Sequence, residues 1–347
     1  MSGSSGAPRG ILRADPPANT PADADHPGRR PGNPVERFLE LGRRGALSPP
    51  PPGQGDTAAR WGDLAAWGRE DLALGRLAEG HTDALAILAE VGHEPVPGAL
   101  YGVWAARSGG TGARLERVAG RHVARGTVRF CSGASCLDRT LVVAAAPTGS
   151  RILDLPLDAP GLHPVPGSWT PFGMRASDSP DVELRDVPAP PESWVGEPDC
   201  YTGRAGFWWG GAGVAAVWLG GAAGVLDEVY AALPGGCSGG ADPHQQALVG
   251  ALHAQLAAAD ALLARTAEEI DADPKDGHRT SAWTARAAVE RCCRSVLDAV
   301  PRLVGVAALT RGDGLERRLA DLGVYVRQHH GERDLAALGA AVLEQRR

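Results

Sequence analysis

The most distinctive hydrophobic pattern in the chain is the stretch 203–225, which carries no charged residue after Arg204. Gly, Ala and Trp occupy every face of a helix drawn through it, so the pattern predicts a helix that is buried on all sides. Its length also fits a membrane span. However, Gly and Ala contribute little transfer free energy, we expect no second span, and no basic cluster flanks the stretch. We therefore predict the central helix of a soluble helical bundle and no membrane span.

Before this stretch, the apolar positions change from helical spacing to strand spacing. Helical periodicity marks residues 34–41, 57–67 and, most clearly, 69–91. The last of these carries Glu79, His81 and Asp83 at its centre, and we interpret His81 as a packed or surface residue rather than a catalytic one. Short apolar runs separated by Gly, Pro and Asp follow at 101–106, 114–120, 122–134, 139–146, 150–157 and 182–190. Such runs predict a β-barrel or sandwich rather than alternating strands and helices.

After the central stretch, long Ala- and Leu-rich segments predict helices at 245–272, 281–308 and 315–346, the last with a break at Gly331. Together with the central helix they predict a four-helix antiparallel bundle. The predicted organisation is a disordered tail at 1–33, an N-terminal helical domain at 34–96, a middle β domain at 97–200 and a C-terminal bundle at 201–347. The fold class is thus multi-domain, with separate α and β parts.

Composition narrows the class of protein. The 347 residues carry a net charge of −6 and a pI near 5.9, which disfavours a nucleic-acid partner. The six cysteines show no CxxC spacing, so we expect a reduced cytoplasmic chain without a zinc or other metal site. The tail is rich in Pro, Gly, Ser and Asp and has no apolar core of a signal peptide.

Five local motifs in this order resemble those of the acyl-CoA dehydrogenase superfamily. They are YGVWAARSGGT at 101–111, FCSGA at 130–134, PFGMRASDSPDVELRDVPAP at 171–190, the central helix after an Arg, and RRLADLGVYVRQHH at 317–330. The resemblance implies an oxidoreductase with FAD between the β domain and the bundle, usually assembled as a homodimer or homotetramer. It also implies a small-molecule substrate, with an electron-transfer flavoprotein or O₂ as electron acceptor.

The resemblance also implies roles for individual residues. Phe130 would pack on the flavin ring and Ser132 would hydrogen-bond near its N5 atom. Tyr101 and Val103 would lie beside the ring, and Trp104 stands in place of a flavin-contacting Thr. Gly109 and Gly110 would face the phosphates or the substrate. Arg204 or His244 would compensate for the absent R-x-x-F-G segment.

The catalytic base is the main departure from the family pattern. Removal of the α-proton of a thioester needs a base, a Glu in this family, eight residues after the aspartate that matches Asp321. That position is His329, and the alternative family position is Gly203. We predict His329 as the base, with His330 and Glu332 in reserve; the competing interpretation is a solvent-facing His.

Three functions stay open on the sequence. The first is α,β-dehydrogenation of an acyl-CoA or related acyl thioester by hydride transfer to flavin N5. The second is a flavin-dependent monooxygenase of the same fold, which does not need the Glu. The third is a degenerate, non-catalytic member that acts with a partner.

Overall fold

The computed structural model describes residues 10–12, 32–233, 240–310 and 314–346. It opens with three helices, α1 (Pro34–Arg43), α2 (Thr57–Glu70) and α3 (Leu72–Glu90). Asn33 caps α1 by accepting from the Val35 N–H, and Asp71 caps α3 by accepting from the first free N–H groups of that helix. The sequence pattern predicted all three helices.

Eight strands follow. They are β1 (Tyr101–Trp104), β2 (Gly112–Val118), β3 (Arg121–Val128), β4 (Arg139–Ala146), β5 (Gly149–Pro156), β6 (Leu162–Pro164), β7 (Val182–Pro188) and β8 (Trp194–Val195). They form one sheet in the order β6-β7-β3-β2-β4-β5-β8, and β1 pairs in parallel with β4. Six of the eight were predicted. β6 and β8 are too short to show a periodic pattern.

The sheet buries both of its faces. Along β4, Leu141 and Val143 point into a cluster shared with α3, while Val142 and Ala144 point into a core made by the strands themselves. This alternation is the two-residue period of a strand. The sheet is therefore fixed against α3 on one side.

The C-terminal part is helical. It contains the one-turn α4 (Cys200–Gly203), then α5 (Gly206–Ala232), α6 (Pro243–Ala272), α7 (Arg279–Thr310), α8 (Leu315–Tyr325) and α9 (Glu332–Glu344). The predicted last helix is interrupted by a 3₁₀ turn at Val326–Gln328 before Gly331, whose φ is 55°. That interruption sets α9 apart from α8.

Helix α5 lies at the centre of the helical core, as its apolar pattern predicted. A Cβ atom at Gly220 would lie 1.9 Å from the Ala65 carbonyl oxygen, and one at Gly68 would lie 2.3 Å from the Val217 carbonyl oxygen. Glycine is thus required for the close approach of α2 and α5. One hydrophobic core joins α1–α3 to the C-terminal helices.

The tail contributes a short segment to this core. Ile11 is fully buried in it, and the Leu12 N–H donates to Asp260 Oδ1 on α6 at 2.8 Å. The expectation of a wholly disordered tail at 1–33 is therefore wrong at Ile11 and Leu12, which form an apolar pair within a polar segment. Residues 1–9 and 13–31 lie outside the described part.

Within the described residues, two helices are long and apolar enough to cross a membrane by length and composition alone. In α5 the most apolar window is 89% buried, as expected of a core helix, whereas in α6 it is 22% buried. We expected no second segment long and apolar enough to span a membrane, and α6 corrects that expectation. Many Ala side chains of α6 are exposed.

Candidate functional site

The loop after β3 presents an aromatic ring at the edge of the sheet. Phe130 has a left-handed backbone, with φ 58°, and its side chain is 47% exposed beneath the Arg129 guanidinium. An exposed large aromatic residue in a conformation unusual for non-glycine residues is a candidate ligand contact. This is the residue that the family resemblance places on the flavin ring.

Residues 130–134 are held by the neighbouring segment 177–180. The Cys131 N–H donates to the Pro180 carbonyl, and the Gly133 N–H donates to the carbonyls of Ser177 and Asp178. Ser132 is buried, and its Oγ accepts from Ser179 Oγ at 2.9 Å. We call the two segments the β ledge.

Two predicted cofactor contacts lie beneath the surface. Trp104 is almost fully buried and its Nε1–H donates to the Ser132 carbonyl at 3.2 Å. Tyr101 is fully buried, accepts from the Val96 N–H and donates to Asp154. Val103 is partly buried beside the α3 cluster. The Trp104 and Tyr101 side chains therefore support the sheet and the β ledge and offer no surface to a ligand.

Gly109 and Gly110 lie in an exposed 3₁₀ turn between β1 and β2. Both have positive φ, and a Cβ atom would meet nothing within 4 Å at either position. The turn has room for a phosphate group, and contact with a cofactor stays a prediction for both glycines.

A loop from the β domain fastens α8. Gly173 lies so close to α8 that a Cβ atom would be 2.0 Å from the Ala320 carbonyl oxygen, and the Met174 N–H donates to Asp321 Oδ1. Asp321 also pairs with Arg317, and burial raises the pKa of the Asp321 carboxyl. The adjacent Phe172 is 79% exposed. Two exposed aromatic rings, Phe130 and Phe172, thus lie on loops near the junction of sheet and bundle.

Behind this junction lies a buried group of charged and phenolic side chains, which we call the polar cluster: Arg76, Glu79, Asp83, Arg286 and Tyr325. The first three share one face of α3. Arg76 forms an ion pair with Glu79, whose Oε2 also accepts from the Tyr325 hydroxyl at 3.4 Å. Burial raises the pKa values of Glu79 and Tyr325.

Arg286 connects the polar cluster to the end of α8. Its guanidinium lies 4.4 Å from the centroid of the Trp218 ring and donates to the carbonyls of Gly211 and Gln328, at 2.7 and 3.0 Å. Burial lowers the pKa of Arg286 to about 10. The guanidinium therefore fixes the turn that immediately precedes His329.

The three predicted catalytic residues separate in the structure. His329 is 6% exposed, its Nδ1 accepts from the Gly331 N–H at 3.2 Å, and burial, with the nearby Arg286 charge, lowers its pKa. The interpretation of His329 as a solvent-facing residue is therefore wrong. His330 is half-exposed beside Asp334, and Glu332 is exposed in the first turn of α9. Only His329 combines burial with proximity to the polar cluster.

Arg204 lies just before α5. Its side chain is 6% exposed and pairs with Glu90 through NH1 at 2.9 Å, while its buried Nε–H has no partner within the described residues. It lines a cavity between α2, α3 and α5 rather than the β ledge. His81 is packed, as expected: its Nδ1 accepts from the Tyr101 N–H and burial lowers its pKa to about 4.

Sequence reasoning noted Glu79 and Asp83 but gave them no role, and it missed Arg76, Arg286 and Tyr325. The only signal in the sequence was the spacing of 76, 79 and 83, which places three charged residues on one face of an otherwise apolar helix. Charged residues that are buried and paired in this way are uncommon and cluster at functional sites.

The β ledge fits a flavin. A flat ring needs an aromatic wall and a hydrogen-bonding group at its polar edge, and the ledge offers exposed Phe130 beside the Ser132 hydroxyl. Exposed Phe172 adds a second apolar surface on the loop that reaches α8.

Comparison with known proteins agrees with this architecture. Residues 204–326 match the family "Acyl-CoA dehydrogenase, C-terminal domain". Curated proteins gave no match. The chain has the acyl-CoA dehydrogenase-like fold, with N-terminal helices, a central sheet and C-terminal helices, and the match to the family's C-terminal domain falls on its helical part.

Several solved structures of this fold are similar over nearly the whole chain. TdsC from Paenibacillus sp. A11-2, in a complex with FMN and indole, is 19% identical, with a TM-score of 0.74 over 90% of this chain and 95% of that one. KijD3, in complex with FMN and a dTDP-linked amino sugar, is 20% identical, with a TM-score of 0.75 over 90% and 87%. A nitrososynthase from Micromonospora carbonacea var. africana is 19% identical, with a TM-score of 0.75 over 90% and 89%.

Proposed function

We propose that this protein is a flavin-dependent monooxygenase that uses reduced flavin and O₂ to oxidise a small molecule. The observation that carries the proposal is the end of α8. There the chain places buried His329, with a lowered pKa, where a dehydrogenase of this fold needs a carboxylate base. The alternative position for that base is Gly203, which has no side chain. Dehydrogenation of an acyl thioester, our leading expectation from the sequence, is therefore the weaker proposal.

The buried carboxylate of Glu79 does not restore the missing base. It is already bound by Arg76 and by the Tyr325 hydroxyl. An ion-paired carboxylate would have to give up these partners before it could take a proton from a substrate carbon. Glu79 is better suited to fixing Tyr325 and the end of α8.

The similar structures support the same choice and bear on the cofactor. TdsC is described as a dibenzothiophene monooxygenase, and both TdsC and KijD3 were solved with FMN. We therefore propose FMN as the flavin in place of the FAD expected from the sequence. O₂ replaces an electron-transfer flavoprotein as the proposed electron acceptor, and a homo-oligomer remains the proposed assembly.

The chain's own residues would hold the flavin and supply a hydrogen-bond donor. Phe130 and Phe172 would pack on the ring and the Ser132 hydroxyl would bond to its polar edge. When bound and reduced, the flavin would supply the electrons that activate O₂. Because His329 Nδ1 accepts from the Gly331 N–H, the neutral ring carries its proton on Nε2. His329 Nε2–H is therefore a hydrogen-bond donor that can orient a reactant at this site.

The test is a comparison of two reactions on one purified protein. FMN and FAD are titrated by fluorescence, and the bound flavin is then photoreduced without O₂ and mixed with O₂. We expect binding of reduced FMN and rapid reoxidation, and no anaerobic bleaching of oxidised flavin by octanoyl-CoA. Bleaching by octanoyl-CoA would establish the dehydrogenase instead, and failure to bind any flavin would favour the degenerate, non-catalytic member.

A pair of serine variants locates the flavin. Ser132→Ala removes the hydroxyl at the β ledge, and Ser135→Ala removes an exposed hydroxyl three residues away. A lost hydrogen bond of about 1 kcal/mol should weaken FMN binding roughly five-fold in Ser132→Ala. Ser135→Ala should bind FMN as the wild type does. Equal affinities in both variants would move the flavin away from the ledge.

A further inference from the structure

The β ledge contains a row of three buried serine hydroxyls, which we call the serine chain: Ser132, Ser179 and Ser177. The Oγ atoms of Ser132 and Ser179 are 2.9 Å apart, and those of Ser179 and Ser177 are 2.8 Å apart. At the inner end, Ser177 Oγ lies 2.8 Å from the carbonyl oxygen of Met174. Because the three side chains are buried, each hydroxyl finds its partners within the ledge rather than in bulk water.

The serine chain can be hydrogen-bonded in two directions. A serine hydroxyl has one hydrogen to donate, accepts at its lone pairs, and rotates to suit its partners. In the outward direction Ser177 donates to Ser179 and Ser179 donates to Ser132, so the Ser132 hydrogen is left for a ligand. In the inward direction Ser132 donates to Ser179 and Ser179 donates to Ser177. The Ser177 hydrogen then goes to the Met174 carbonyl, and Ser132 offers a lone pair to a ligand.

Neither direction leaves the inner end of the serine chain without partners. In the outward direction the Met174 carbonyl loses the Ser177 hydroxyl, but it still accepts from the Ser177 N–H at 3.1 Å and from the Trp169 Nε1–H at 3.2 Å. The Ser179 hydroxyl has the Ser177 carbonyl oxygen at 3.3 Å as a further acceptor. The two directions therefore differ mainly in whether Ser132 presents a donor or an acceptor to a ligand.

A flavin is a ligand whose hydrogen-bonding character reverses at one atom. The N5 atom of oxidised flavin has a lone pair and accepts, whereas N5 of reduced flavin carries a hydrogen and donates. A hydroxyl with one fixed direction would suit one redox form and oppose the other. Ser132 is the residue that the family resemblance places near N5, and the serine chain gives its hydroxyl a buried partner in either direction.

We propose that Ser179 and Ser177 are positioning residues that let Ser132 hydrogen-bond to both redox forms of the bound flavin. A change of redox form would reverse the serine chain by rotation of its hydroxyls, and no covalent bond in the chain would change. The proposal rests on the proposed function, because that function takes the flavin through both redox forms at this site.

The test compares the affinities of oxidised and reduced FMN, the first by fluorescence titration and the second by calorimetry without O₂. In Ser179→Ala an accepting Ser132 has no buried acceptor for its own hydrogen, whereas a donating Ser132 loses only a partner for a lone pair. We expect the affinity for reduced FMN to fall about ten-fold and that for oxidised FMN to fall less than about three-fold. A ten-fold change in the ratio of the two affinities equals a midpoint potential lower by about 30 mV for a two-electron couple.

A residue that only supported the ledge would weaken both redox forms equally, and that result for Ser179→Ala would overturn the proposal. Ser177→Ala should change the ratio less than Ser179→Ala does, because the Ser179 hydroxyl keeps the Ser177 carbonyl as an acceptor. Ser135→Ala removes an exposed hydroxyl and should bind both forms as the wild type does. Thermal unfolding checks that each variant is folded.

A double-mutant cycle tests whether Ser179 acts through Ser132. In a Ser132→Ala background, Ser179→Ala should leave the ratio of the two affinities unchanged. The same shift in the ratio with and without the Ser132 hydroxyl would overturn the proposal.

Failure of this proposal and failure of the proposed function give different results. Flavin bound with the same affinity ratio in the wild type and Ser179→Ala would overturn the role of the serine chain alone. A changed ratio together with anaerobic bleaching by octanoyl-CoA would overturn the monooxygenase alone. Failure to bind either redox form would overturn both.

Discussion

Ile11 gives the sharpest test of how the tail takes part in the fold. The composition of the tail predicts that it can be deleted without effect, but the structure buries Ile11 completely in the helical core. The backbone beside it is held by Asp260 on α6, through the Leu12 N–H at 2.8 Å. We therefore expect Ile11→Ala to destabilise the whole protein.

The size of the effect follows from the burial. Ile→Ala at a fully buried site removes apolar contact and leaves a cavity, which together cost about 2–5 kcal/mol. The lower half of that range applies, because a segment tied by few contacts can detach when its docking is weakened. For a chain of 347 residues, about 2–3 kcal/mol lowers Tm by roughly 3–4 °C.

The assay is thermal unfolding followed by calorimetry and by far-UV circular dichroism. Val306→Ala, at a residue that is 75% exposed, serves as the control and should shift Tm by less than about 1 °C, the effect of a surface change. Deletion of residues 1–12 should lower Tm at least as much as Ile11→Ala, because it also removes the Leu12 N–H bond to Asp260. A Tm for Ile11→Ala equal to that of the control would show that Ile11 is not part of the core.

Three more outcomes are expected. The pKa of His81 is about 4 in the folded chain and 6.5 ordinarily. Between these pH values His81 is protonated in the unfolded chain and neutral in the folded chain. Stability should therefore fall by about 3 kcal/mol as the pH drops from 6.5 to 4, and denaturant titrations should show a flatter profile in His81→Gln. Phe130→Ala should weaken FMN binding about three- to ten-fold through lost ring packing, and unchanged fluorescence titrations would refute that contact. Ala254→Glu, on the exposed face of α6, should lower the mass measured by light scattering if α6 forms the subunit interface, and an unchanged oligomer would place the interface elsewhere.

Local pattern was enough to predict the elements whose burial is regular along the chain. Helix α5 is apolar on every face, and a helix of that kind is stable only when it is buried on all sides in a core. The alternation along β4 and the Gly and Pro residues between strands predicted the sheet. The order of the motifs predicted the fold.

Tertiary structure decided the features that depend on distant parts of the chain. Ile11 joins the core because α6 offers Asp260 to the neighbouring N–H, and no local pattern encodes that contact. The polar cluster is assembled from α3, α7 and α8, so its Tyr325–Glu79 hydrogen bond and its shifted pKa values arise only when three helices exclude water together. The charged sequence RQHHGERD predicts a surface position for His329. The 3₁₀ turn held by Arg286 instead places its side chain in the interior, because burial depends on the fold and not on the neighbouring residues in the sequence.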